Sequence, residues 1–398
     1  MKKLRVLSLS TLFPSPQRPA FGKFVENQMR AVAARGDVDL VMINPLGIPP
    51  WPLSRREPYC SLAVNPPTSE LNGITVHYPR FLVIPLIGGD RNPERIARAV
   101  MPLVRRLHAE QPFDLIDAQF FFPDGPAAAL IAGQLGLPLS IKARGGDIHY
   151  WGKQPRALAQ MLDAAGQAAG MLSVSAALKQ DMIGLGMLEA RIMVHYTGLD
   201  HDRFQLRPRA AARVQIAALA GVAIPADGPL LVVTGALIPI KGQKLVIAAL
   251  RELPGARLAL AGKGVDEAAL RALASKLGLA ERVHFLGQVS HDVLPLLFAA
   301  ADAAVLPSER EGLANAWIEA LACGTPLVIP AIGGALEVLQ NTSAGRIAAR
   351  DPAAIGAAVR ELLANPPPQT DVAANAGRFD WESNAAELLA YWQRLAAH

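Results

Sequence analysis

Cysteine is nearly absent: the chain of 398 residues holds two, Cys60 and Cys323. Two distant thiols give neither a disulfide framework nor a metal-ligand spacing, and they fit a reducing cytosol. Long apolar runs are missing as well. The longest uncharged stretches, such as 320–336, are broken by Gly and Pro, so no segment offers the roughly twenty apolar residues that a transmembrane helix needs. The opening M-K-K-L-R-V-L-S-L-S starts like a leader, but its apolar stretch ends by Phe13 with no small-residue cleavage site, and it reads as a first strand. Aromatics are scarce at 6% and are not interleaved with basic residues, so nucleic acid is not an expected partner.

What is present is 51% hydrophobic content with 33 Gly and 32 Pro, the profile of a soluble α/β chain rather than a disordered one. The length suggests two domains, each large enough for its own core. Charge divides unevenly. Residues 1–200 hold 21 Lys+Arg against 16 Asp+Glu, a net of +5, while residues 201–398 hold 18 of each. The excess fits either a generically basic surface or attraction to an anionic membrane or a phosphorylated acceptor. The helix expected over 93–110 carries part of it (Arg95, Arg98, Arg105, Arg106) and reads first as a solvated face.

The most informative stretch is 307–330, P-S-E-R-E-G-L-A-N-A-W-I-E-A-L-A-C-G-T-P-L-V-I-P. Glu311 and Glu319 bracket seven residues. A helix is expected from Asn315 to Cys323, stopped by Gly324 and Pro326. Uncharged strands precede the loop (303–306) and follow the helix (327–329), so a helix N-terminus lies at a strand's carboxyl end. Open α/β sheets bind ligands there, and backbone amides with the helix dipole hold phosphate. A carboxylate in such a place can accept hydrogen bonds from ribose or sugar hydroxyls. For an isolated pair of glutamates, a solvated loop and a surface helix would be the simpler account.

Other segments frame this one. Strand 3–10 is followed by a Pro-rich loop and a helix over 21–35, with Gly22 at the junction, where the missing Cβ lets a backbone approach a ligand. Residues 45–67 read as a long loop with Arg55 and Arg56, facing an acceptor. Strand 114–118 ends at Gln119. Strand 137–142 leads into A-R-G-G-D-I-H, where Arg144, Gly146 and Asp147 form either an anion nest or a turn held by an internal Arg–Asp pair. His149 reads as a side-wall residue. After a linker over 210–226 come strand 229–234, the loop T-G-A-L-I-P-I-K-G-Q, and strand 257–261 with G-K-G, too weak alone for a dinucleotide fingerprint. Strand 282–287 follows, with His284 on its outward side, then a helix over 292–300, and a terminal helix over 380–397.

The segment S-E-R-E-G-L-A-N-A-W-I-E-A-L-A-C-G-T-P resembles the signature of the retaining glycosyltransferases of family 4, and the other pieces fall in that family's order along nearly the whole chain. The resemblance implies the GT-B fold: α/β, two Rossmann-like domains facing an interdomain cleft. The acceptor-side domain would be 1–205, joined by the helix at about 380–398, and the nucleotide-sugar domain 206–379. It implies transfer of a hexose from a nucleoside-diphosphate sugar, with retention, to a glycan, lipid-linked or small-molecule acceptor. Lys241 and Glu311 would be catalytic. Gly22, Gly235, Lys241, Val283, Phe285, Glu311, Gly312, Leu313, Ala314, Asn315 and Glu319 would contact the donor, and Arg144, Gly146 and Asp147 the acceptor side. No cofactor and no metal are expected; the D-x-D of metal-dependent transferases occurs at Asp37–Asp39, but in a helix-to-strand turn. The implied place is the cytoplasm, with peripheral contact at the inner face of the membrane through the basic first domain.

Two departures matter. Thr197 replaces the family's Asn in V-H-Y-T-G-L-D-H-D-R-F. Ala236 stands where the family has an arginine that, with the lysine at Lys241, clamps the diphosphate. Arg144 or Lys23 from across the cleft would then supply the second cation. The alternatives are a sugar-nucleotide epimerase of the same fold and a catalytically silent nucleotide-sugar-binding protein.

Overall fold

The computed structural model describes residues 3–85, 88–219, 228–290 and 292–397. It divides into two compact units, Met1–Gly198 with Trp381–His398, and Leu199–Asp380. Residues 199–205, placed with the first domain by the sequence, sit with the second unit. There Arg203 pairs with Asp292 at 3.9 Å and His201 Nε2 donates to the Phe379 carbonyl at 3.0 Å. The expected linker begins as a helix, Arg209–Leu219, and its remainder lies outside the described residues.

Among the described residues of the first unit, eight strands form one sheet in the order Ile192–Val194, Gly170–Ser173, Leu139–Ala143, Leu115–Ala118, Leu4–Leu9, Val38–Ile43, Ile74–His77 and Thr68–Leu71. All neighbours are parallel except the last pair. Every residue of Leu139–Ala143 and Leu115–Ala118 is buried, as central parallel strands covered on both faces must be. Against the sheet, Lys23–Ala34 buries Val25, Met29 and Val32, and the terminal helix Trp381–Ala396 buries Leu388, Leu389 and Trp392 in the same cluster. The stretch 45–67, expected as a loop, instead holds a strand, Leu46–Ile48, paired in parallel with Arg80–Leu82, and a helix, Tyr59–Ala63. Its prolines fall outside the three paired residues, so none removes a ladder donor.

In the second unit the described strands form a parallel sheet in the order Val283–Gly287, Arg257–Ala261, Leu230–Thr234, Ala303–Val305, Leu327–Ile329 and Gly345–Ile347. Within the unit this is third, second, first, fourth, fifth, sixth, the order of a dinucleotide-binding sheet. The first unit has the same reversal between Leu4–Leu9 and Leu115–Ala118. Connections leave in opposite directions at such a point and open a crevice at the strands' carboxyl ends. In the second unit the loops bounding it are 235–242 and 306–314. The helix after the second loop spans Asn315–Ala322, capped at Cys323, with Gly324 in the left-handed region at φ 79°. His284, expected outward, is half-buried with its Nε2 unpartnered. Every residue of that edge strand after Val283 is partly covered, so alternation had no outward face to assign.

Candidate active site

In the second unit, the first strand runs into a turn, Pro239–Lys241, that ends on the lysine, and the fourth strand runs into the loop bearing Glu311. Lys241 Nζ donates to Glu311 Oε1 at 2.5 Å, the two side chains being 29% and 16% exposed. A partly exposed pair of this kind contributes about 1 kcal/mol or less, so a bound anion can displace it at small cost. The backbone around it is fixed. Glu309 donates its amide to the Ile240 carbonyl at 2.8 Å, joining the two loops, and Gly334 donates to the Gly312 carbonyl at 2.8 Å. Gly333, at φ 46°, presses so closely on the loop that a Cβ there would lie 2.2 Å from the Glu311 carbonyl oxygen. The G-G-A-L-E turn thus holds Glu311 in place through its backbone.

The other donor-side residues surround these two. Gly235 and Ala236 are exposed, and Gln243 Nε2 fixes the Ala236 carbonyl at 2.8 Å. Gly312 and Leu313 are buried beneath the loop. Ala314 starts the helix, Asn315 is its first residue, and no side chain caps its N-terminus. Glu319 lies on that helix. Desolvation pushes its carboxyl up to about 7, the Arg203 charge opposes the rise, and among the described residues no hydrogen bond reaches the carboxyl to offset it. Val283 is buried, and Phe285 carries the Arg271 guanidinium 4.1 Å above its ring.

In the first unit, Gly22 precedes the helix Lys23–Ala34 at φ 69°, where a Cβ would meet the Leu12 carbonyl oxygen at 2.3 Å. The turn at Arg144–Asp147 is held by amides, not by an Arg–Asp side-chain pair. Fully buried Asp147 accepts from the backbone of Phe121 (2.7 Å), Gly145 (2.8 Å), Ile148 (3.0 Å) and Arg144 (3.1 Å), while Gly146 sits in the turn itself. Burial raises the Asp147 pKa and these four amides oppose the rise. The Arg144 guanidinium donates instead to the Gln119 carbonyl (2.7 Å), Gln119 Oε1 (2.5 Å) and Gln28 Oε1 (2.9 Å). Burial brings its pKa down to about 10. His149 bonds Asp181 at 2.9 Å.

Sequence reasoning missed what lies behind this turn. Lys142 is fully buried, with Nζ 2.7 Å from His195 Nδ1 and 3.4 Å from Gln28 Oε1. His195 Nε2 donates to the Asn384 carbonyl at 3.0 Å on the terminal helix. Burial drives both pKa values well below their ordinary ranges. Asp117 is the second centre, accepting from Ser8, Ser140, Gln119 and Trp392. One signal was available: a lysine inside the uncharged parallel strand L-S-I-K-A must find a buried partner. Arg350 was also missed. It donates Nε to the Pro307 carbonyl at 2.9 Å, which brings a cation to the second unit's loops from more than a hundred residues beyond Lys241. Of the cations the sequence offered in place of an arginine at position 236, Lys23 pairs with Glu26 at 2.6 Å and Arg144 is engaged as described. Among the described residues no three His, Cys, Asp or Glu side chains gather as metal ligands, and no helix is long and apolar enough to cross a membrane.

Two family models match the chain, one described as Glycosyltransferase Family 4 over residues 22–203 and one described as Glycosyl transferases group 1 over 217–379. The chain belongs to glycosyltransferase family 4. This family 4 glycosyltransferase is 34% identical over 216 residues to the D-inositol 3-phosphate glycosyltransferase of Mycobacterium avium (strain 104), covering 52% of this chain and 50% of that one. It is likewise 34% identical over 218 residues to the protein of that name from Mycobacterium tuberculosis, covering 52% and 44%. The chain thus spans about half the length of the curated relatives it matches. Among solved structures it is similar to the sucrose-phosphate synthase of Thermosynechococcus elongatus, with TM-score 0.80, 20% identity, and 99% and 100% of the two chains covered. It is also similar to HepE of Anabaena in complex with UDP and glucose, with TM-score 0.74, 21% identity, and 98% and 99% covered. At these identities the likeness establishes the fold of the transferase, which is GT-B with two Rossmann-like domains.

Proposed function

We propose that the chain transfers a hexose from a nucleoside-diphosphate sugar to a glycan, lipid-linked or small-molecule acceptor, with retention of configuration and without a metal. The observation that carries this is the Lys241–Glu311 pair at the reversal point of the second sheet, beside a helix with an uncapped N-terminus and a carboxyl, Glu319, that no hydrogen bond offsets. Binding of UDP and glucose by the fold relative HepE supports a nucleotide-sugar ligand.

The chemical problem is a departing diphosphate and an oxocarbenium-like sugar. Lys241 and the first-turn amides after Ala314 stabilise the leaving charge, and they contribute most where that charge is largest, in the transition state. As the lysine turns to phosphate, Glu311 is released to accept from sugar hydroxyls. Glu319 accepts from the ribose hydroxyls, which restores a hydrogen bond to a carboxyl that lacks one. The leaving phosphate takes the acceptor's proton, so no enzymic nucleophile is assigned. Screening UDP-, GDP- and ADP-sugars for protection against thermal unfolding tests the donor class, since a ligand at a hundred times its Kd adds about 2.7 kcal/mol. Transfer should continue in EDTA; loss of turnover on chelation, restored by manganese, would overturn the metal-free reading.

A second reading is favoured by one residue. With Ala236 at the usual arginine position, the chain would bind nucleotide sugar without turning it over. Calorimetric binding with neither hydrolysis nor transfer across a broad acceptor panel would select it.

A further inference from the structure

The loop after the first strand of the first unit, residues 11–22, is rigidly tied. Asn44 Nδ2 donates to the carbonyls of Phe13 (2.8 Å) and Pro14 (3.2 Å), the Thr11 amide to Asp124 Oδ2 (2.9 Å), and the Gln17 amide to Asn65 Oδ1 (3.3 Å). Within it, Ser15 and Arg18 form an isolated antiparallel bridge and exchange both backbone bonds, 2.9 Å one way and 3.4 Å the other. Residues directly opposite in such a bridge project their side chains to the same face. Both line a cavity of about 310 Å³, together with Phe21, Asn44, Tyr59 and Leu62.

Nothing in the described chain completes these two groups. Ser15 is 2% exposed, and its Oγ has no hydrogen-bond partner. A buried hydroxyl left unpaired costs about 1–3 kcal/mol. Arg18 has no carboxylate within ion-pair distance among the described residues. Its guanidinium stacks 3.9 Å from the Phe21 ring centroid, and burial lowers its pKa. A partly buried planar cation and an orphan hydroxyl, on one face of a pre-organised loop, match an oxyanion that accepts two guanidinium bonds and one hydroxyl bond. The same loop delivers Gly22 to the N-terminus of a helix of 12 residues, whose dipole has the same sign of preference.

We propose that this cavity seats a phosphate group of the acceptor, so that the acceptor is a phosphorylated sugar or polyol. Its volume lies at the low end for small-molecule sites and suits one ring with its phosphate. That the phosphate belongs to an acceptor rests on the transferase reading; that the cavity binds phosphate does not.

The test is calorimetry on the full chain with UDP held at saturation, titrating glucose 6-phosphate, glucuronate and glucose. Glucose 6-phosphate should bind, glucuronate should bind at least about tenfold more weakly, and Arg18→Gln should weaken glucose 6-phosphate binding about tenfold or more, the size of a lost charged hydrogen bond. Ser15→Ala should weaken it about threefold while leaving the thermal midpoint equal or higher, because the hydroxyl has no partner in the free protein. A residue with a purely structural role would not lose affinity while keeping or gaining stability, so Ser15→Ala decides the matter even if Arg18→Gln misfolds. Absence of glucose 6-phosphate binding, preference for glucuronate, or unchanged affinity in both variants overturns the proposal. Titration of UDP alone reports the donor site separately. UDP binding without glucose 6-phosphate binding ends this proposal and leaves the transferase reading standing; the converse supports the phosphate site but removes the transferase reading and, with it, the assignment of that phosphate to an acceptor.

Discussion

The two units have the same strand reversal at the centre of their sheets, and they use it differently. At the end of the first unit's strands, one set of polar side chains is fully matched: Asp117 by four donors, Asp147 by four amides, Lys142 by His195 and Gln28, Arg144 by two glutamines. In the second unit the comparable loops carry one partly exposed ion pair, an uncapped helix and a partly buried carboxyl, Glu319, with no hydrogen-bond partner among the described residues. A network with every donor and acceptor matched sets a shape; groups left unmatched are available to a ligand. The difference predicts that substitutions in the first set damage stability, and substitutions in the second damage binding or turnover.

The largest expected effect is in the first unit. Asp117→Ala strands four buried donors and should cost about 3–5 kcal/mol of stability, read as a lower urea midpoint at unchanged slope. Stability close to wild type would erase the contrast. Next, Lys241→Ala should lower kcat about 10²–10³-fold, the usual cost of one donor to developing charge, while stability moves by about 1 kcal/mol or less. Unfolding without a kinetic defect would instead make Lys241 a structural residue. Glu319→Ala should weaken UDP binding about tenfold or somewhat more with little change in unfolding; an unaltered Kd removes its ribose role. Gly333→Ala forces a Cβ onto the Glu311 carbonyl at a left-handed position, and about 1–3 kcal/mol of strain should appear as slower turnover with the sheet intact.

The smallest effect sharpens the comparison through pH. Burial raises the Glu319 carboxyl from its ordinary 4.5 to about 7. The folded state then holds a proton that the unfolded state has lost between those values, so this carboxyl's contribution to stability is greatest below about 4.5, falls as pH rises from there through about 7, and levels off above it. Glu319→Gln should flatten part of that fall. Asp124, also raised to about 7, should keep the remainder. Identical thermal midpoint–pH curves for the variant and wild type would show that the Glu319 carboxyl is not desolvated.

How much of this was legible in the chain depended on whether the signal was local. The strand, loop and helix across 303–322 were readable because Gly324 and Pro326 mark the stop and uncharged runs mark the strands. The signature around Glu311 and Glu319 led to the family for the same reason. The short strand Leu46–Ile48 was not readable, because three residues among prolines carry no period, and their partner, Arg80–Leu82, is more than thirty residues away. Nor was the Lys142–His195–Gln28 cluster, whose members are separated by up to 167 positions and meet only once the sheet has formed. Arg350 escaped notice for a related reason: only the register of the last two strands brings it back to Pro307.

The terminal helix has one more implication. Because Trp381–Ala396 completes the core that includes Val6 of Leu4–Leu9, the second unit is an insertion within the first, and the ribosome makes the two parts of that core with the whole second unit between them. Of the two units, the one begun first is therefore the one completed second. Until the helix Trp381–Ala396 has been made, the cluster that includes Met29 and Leu115 lacks Leu388 and Trp392, so its apolar surface stays bare while the whole second unit is synthesised, the kind of exposure that favours misfolding and aggregation.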